Sequence, residues 1–145
     1  MSNPGPAITN SIHPQVLGSN QALRVIANVK GLSVGKLGDT AIPVIDTAYY
    51  VPTSVIITNA SVDVHSVALG VYTATGGAGG SGSAVLSTAA LTSNTSSAYA
   101  TVSAATSTSA TLTAQTLYVN QTTATAAGTV DVYIYGYDLS GTQTN

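Results

Sequence analysis

The sequence predicts an all-β protein, an antiparallel β-sandwich, and three observations carry the prediction. About eight short strand-like runs are punctuated by turn signals, no stretch shows the 3.6-residue apolar period of an amphipathic helix, and Thr, Val, Ile and Tyr recur throughout. These residue types suit a pleated, half-buried surface.

Taken in order, residues 1–20 hold Pro4, Pro6 and Pro14 among Gly, Asn and Ser, which favours extended backbone over helix or sheet. An N-terminal arm is expected there, followed by one sandwich domain over residues 21–145. Residues 22–30 alternate, with Leu23, Val25, Ala27 and Val29 on one face, and Gly31 ends the run. Four of the eight formal charges fall between Lys30 and Asp46, so loops are expected around a short strand at residues 42–45.

Tyr49, Tyr50 and Val51 precede Pro52, which is not expected in a central ladder, and residues 54–58 (SVIIT) read as a buried strand closed by Asn59. In residues 64–73, His65, Val67, Leu69 and Val71 alternate with Ser66, Ala68, Gly70 and Tyr72. These two runs are expected to pair. Residues 75–83 (TGGAGGSGS) read as a flexible loop, because ordering glycine costs the most backbone entropy. Residues 84–91 and 99–102 read as short strands, although the first also admits a helical turn. Residues 111–120 alternate, and in residues 129–139 Val130, Val132 and Ile134 face one way while Asp131, Tyr133, Tyr135 and Tyr137 face the other.

Composition then excludes several functions. Only 6% of the 145 residues are charged, where an ordinary soluble domain carries about 25%. Arg24, Lys30 and Lys36 are too few to grip a phosphate backbone, so no nucleic-acid partner is expected. Without cysteine there is no disulfide or thiolate metal site. The mean hydropathy is +0.32, but Thr, Ser, Asn, Gln or Gly interrupts every 18-residue window, so no membrane partner is expected either. The opening MSNPGPAITN has neither the basic nor the apolar region of a secretion signal, which predicts a product made in the cytosol.

The chemical motifs are weak. Gly77 to Gly82 match G-x-G-x-x-G, but no acidic residue lies about 20 positions on to hold a ribose, the next being Asp131. Gly31 to Lys36 resembles a P-loop one residue short, with Leu37 where magnesium would need a hydroxyl. Of the two histidines, His13 falls in the arm; His65 has Asp63 two residues away, on the same face if the segment is a strand. That pair reads as surface chemistry, since no further His or Cys completes a metal site. The five aspartates are scattered and there is no glutamate. No catalysis, metal or cofactor is expected. Asn59, Asn94 and Asn120 begin N-x-[S/T] triplets of the kind a Ser- and Thr-rich chain produces by chance. Tyr133, Tyr135 and Tyr137 are the strongest candidate: three rings on one strand face form an amphipathic surface for an interface or a sugar, or pack beneath a loop or the arm of the same chain.

Residues 51–77 (VPTSVIITNASVDVHSVALGVYTATGG) and 112–139 (LTAQTLYVNQTTATAAGTVDVYIYGYDL) carry a resemblance. The region from Val51 to Leu139 is similar to small tailed-bacteriophage virion proteins, in particular capsid cement or decoration proteins. LYVN and VDVYIYGYDL are its most specific parts. The resemblance implies a jelly-roll sandwich and a multi-copy, non-enzymatic structural protein, made in the host cytoplasm. It implies a place on the outer surface of an icosahedral head, bridging major capsid protein subunits. Self-association as a dimer or trimer fits that role, and the arm, with Pro4, Pro6, Ile8, Ile12 and Pro14, suits strand addition to a neighbour. Similar sequences also occur in tail components, so the alternative is a carbohydrate-binding or host-recognition module of a tail fibre or spike.

Overall fold

A computed structural model describes residues 23–91, 96–104, 111–125 and 127–140, the stretch 96–104 by its backbone alone. The expected arm lies outside the described residues. Within them are eight strands: β1 (Leu23–Ser33), β2 (Gly38–Pro43), β3 (Tyr50–Ala60), β4 (Ala68–Tyr72), β5 (Ala84–Ala90), β6 (Ser96–Ala104), β7 (Thr116–Thr123) and β8 (Thr129–Asp138). They form two four-stranded sheets, β1-β8-β3-β6 and β2-β7-β4-β5, with antiparallel pairing throughout. The expected all-β sandwich is therefore the fold.

The core comes from alternate residues of both sheets. Ile26, Val55, Ile57, Val132 and Ile134 from the first meet Ile42, Leu69, Val71, Leu117 and Val119 from the second, all buried. Burying each such side chain contributes roughly 1.5–3 kcal/mol. Gly136 belongs to this inward set, and a Cβ there would stand 2.5 Å from Val51 O and 3.1 Å from Ile26 Cγ1. The missing side chain admits Ile26 and lets β3 and β8 approach. On the β1/β2 side the sheets are tied by the Ala27/Val44 bridge and by Ile45 N–H donating to Ile26 O at 2.8 Å.

Several expectations are corrected. Alternation along β1 is broken by a bulge between Val25 and Ala27, so Ile26 and Ala27 are both buried while Leu23 and Val25 turn outward. Pro52 does sit in β3, an inner strand; among the described residues β6 pairs with β3 from Ser54 onward, and a register shift separates Pro52 from Ser54. The strand expected at residues 42–45 is displaced to Gly38–Pro43, whereas the strand expected at residues 84–91 is present as β5. β3 and β4 do not pair; they lie in different sheets.

The glycine-rich segment is not a loose loop. It folds over the outer face of the second sheet, with a short 3₁₀ turn at Gly77–Gly79. Asp39 pins it: one carboxylate oxygen accepts from Gly76 N–H at 2.9 Å and the other from Asn120 Nδ2 at 2.8 Å. Gly76 and Gly77 have φ of 92° and 56°, and a Cβ on Gly77 would lie 2.3 Å from Asn120 Oδ1. Here glycine permits both the turn and the close approach. Tyr72 also faces outward on this sheet yet is 3% exposed, with its hydroxyl 2.8 Å from Thr88 Oγ1. The second sheet thus covers part of its own outer face.

Candidate interaction face

The outer face of β1-β8-β3 is built in rungs set by strand register. Tyr137 lies between Leu23 and Val51, Tyr135 between Val25 and Ser54, and Tyr133 between Asn28 and Ile56. The three tyrosines expected on one face do form one row. Tyr133 and Tyr135 are half-buried by these neighbours, and Tyr137 is 45% exposed. The fourth rung is polar. Asp131 Oδ1 accepts from Gly31 N–H at 2.8 Å and Oδ2 from Asn59 Nδ2 at 3.1 Å. Gly31 and Asn59 have φ of 67° and 55° and flank register shifts in β1 and β3, so one carboxylate ties irregularities on both sides of β8.

Apolar character increases toward the end where β1 and β3 begin and β8 finishes. Tyr49 and Leu139, 52% and 46% exposed, meet there through Leu139 N–H donating to Tyr49 O at 2.7 Å. Leu23, Tyr137 and Ile45 complete the rim. Sequence reasoning missed Leu23, Ile45, Tyr49 and Leu139 as a group, because they come from four chain segments and only strand pairing unites them.

Under this rim lies a charged pair. Arg24 Nη2 stands 2.8 Å from Asp138 Oδ2 and also donates to the carbonyls of Ile45 and Asp46. The Thr47 and Ser140 hydroxyls and Ser140 N–H donate to Asp138 Oδ1. Burial opposes ionisation of Asp138, but the hydrogen bonds from Ser140 and Thr47, with the Arg24 guanidinium, outweigh it and hold the carboxyl below its ordinary range. The sequence signal was available: Asp138 shares its parity with Val130, Val132 and Ile134. Tyr50 is buried beside this end, its hydroxyl donating to Ala114 O at 2.7 Å, and burial pushes the phenol up to about 12.

His65 and Asp63 lie in a turn, not on a strand. Asp63 Oδ1 accepts from His65 N–H, and Oδ2 lies 3.1 Å from His65 Nδ1, both groups exposed. Among the described residues no three His, Cys, Asp or Glu side chains converge on a metal position, and no helix is long and apolar enough to cross a membrane. Pro4, Pro6, Ile8, Ile12, His13 and Pro14 lie outside the described residues. No family model matches the chain, and no curated protein or solved structure matches it.

Proposed function

We propose that the chain is a non-enzymatic virion structural protein of a tailed phage, a capsid cement that binds the outer surface of the icosahedral head and bridges major capsid protein subunits. The observation that carries this reading is the tyrosine face: a row of partly exposed rings, nearly free of charge, held on a packed two-sheet scaffold. Adhesion of this kind needs a rigid fold, a complementary surface and many copies, so that weak contacts multiply. The residues 1–20 segment is proposed as a second contact, extending to a neighbouring subunit.

We also infer that the sandwich is a jelly roll. The pairings β1/β8, β2/β7, β3/β6 and β4/β5 support this, being those of one long antiparallel ribbon rolled into two sheets. The alternative, a carbohydrate-binding module of a tail fibre or spike, draws on the exposed rings of Tyr49 and Tyr137. Tyr137, however, is flanked by Leu23 and Val51, which offer a sugar no hydrogen bonds beside the ring. Cryo-EM of virions carrying the chain tests the choice. Density for the sandwich on the head exterior is expected; density confined to the tail, with saturable glycan binding by the purified protein, overturns the cement reading.

A further inference from the structure

We infer that the tyrosine face is where a second copy of this chain packs, forming a two-fold dimer through the outer surface of β1-β8-β3-β6. This rests on the reading of that face as adhesive and assigns its occupant. The face then serves head binding by joining two copies, whose residues 1–20 and remaining surfaces meet the capsid together, so that their contacts multiply.

Three features favour a second copy. In a two-fold interface the same patch meets itself, so an unpaired charge near its centre would be brought close to its like. The face avoids this: Asp131 and the adjacent Lys30 carry opposite charges at one end, and both oxygens of Asp131 are already engaged. Between that end and the Leu23 rim the rungs are aromatic, aliphatic or uncharged polar.

The size also fits. Four strands about 4.8 Å apart, with the ten residues of β8 rising about 3.4 Å each, give a footprint of roughly 650 Å². Pleat and side chains raise its accessible area toward the roughly 800 Å² per partner of a standard stable interface. Finally, the two sheets differ. The second sheet's outer face is overlaid by the Gly77–Gly79 turn and Tyr72, whereas on the first sheet Leu23 and Tyr137 remain about half exposed. Stacking against a second sheet about 10 Å away would bury the half-exposed rings of both copies.

The test is the mass of the full-length protein in solution by sedimentation across a concentration series. A dimer is expected. Tyr135→Arg and, at the more exposed position, Tyr137→Arg should each weaken association about 30-fold or more, as loss of a central aromatic anchor does. The far-UV spectrum and melting temperature of folded monomer should persist. Tyr118→Ser, on the outer face of the other sheet, should remain a dimer. A wild type that stays monomeric, a trimer, or a dimer indifferent to both arginine variants overturns the proposal. So does a monomeric wild type that self-associates once residues 2–20 are deleted, because the face would then be covered by its own chain. Adding each protein to undecorated heads separates this proposal from the cement reading. A dimer that leaves heads bare overturns the cement reading alone; a wild-type monomer that coats them overturns only the dimer.

Discussion

Asp138 occupies a position where the alternation of β8 calls for an apolar side chain, and its ionised form is kept there by the Ser140 and Thr47 hydroxyls and by Arg24. Because its folded pKa lies below the unfolded value, the stability it contributes is present above about pH 4 and lost as pH falls through the folded value. Thermal melts should therefore show a falling melting temperature below about pH 4. Asp138→Asn should be less stable at pH 7 by roughly 1–3 kcal/mol and should show a shallower acid decline. Tyr50 acts at the opposite extreme. Its folded pKa is raised to about 12 by burial, so its neutral form stabilises fully below about pH 10 and that contribution is lost as pH rises through 12. In Tyr50→Phe the Ala114 carbonyl loses its donor, at a cost of about 1–3 kcal/mol. A phenolate titration followed by absorbance should then lack the step near pH 12.

At the scale of elements, the glycine segment shows where composition misleads. Its sequence reads as slack chain, yet its order comes from Asp39, 37 positions earlier, which no local pattern connects to Gly76. Asp39→Ala should therefore loosen this element without unfolding the sandwich. Amide exchange at Gly76 is expected to accelerate at least about tenfold, with a global stability change below about 1 kcal/mol, since the carboxylate is exposed. Equal loss of protection along β7 and β4 would show instead that the segment and the sheet unfold together. β8 was legible because Val130, Val132 and Ile134 alternate with Asp131, Tyr133 and Tyr135, a period-2 pattern that burial continues to Asp138. β1 was legible as a strand but not in its facing, since a bulge inverts Leu23 and Val25 and nothing in LRVIANVK marks where the extra residue falls. Pro52 misled for a related reason: its place in β3 goes with the register shift against β8 between Pro52 and Ser54, which no local pattern in β3 announces.

For the whole molecule, the legible part of the site was the tyrosine row, fixed by parity within one strand. The apolar rim was hidden because Leu23, Tyr49 and Leu139 meet only once β1 and β3 have paired on either side of β8. Charge poverty connects both scales. Of the formal charges in the described residues, Arg24 and Asp138 neutralise one another beneath the rim, while Asp39 and Asp131 are spent on backbone and amide donors. Association through the tyrosine face then has little electrostatic content for salt to screen. Raising salt from about 0.1 M to about 1 M shortens the Debye length from about 10 Å to about 3 Å. The dimer association constant, measured by sedimentation at both, should change by less than about twofold, whereas an excluded salt such as sulfate should strengthen it. A tenfold or greater weakening would mean that Lys30 and Asp131, at the polar end of the face, hold the copies together, and the apolar rungs would lose their assigned role.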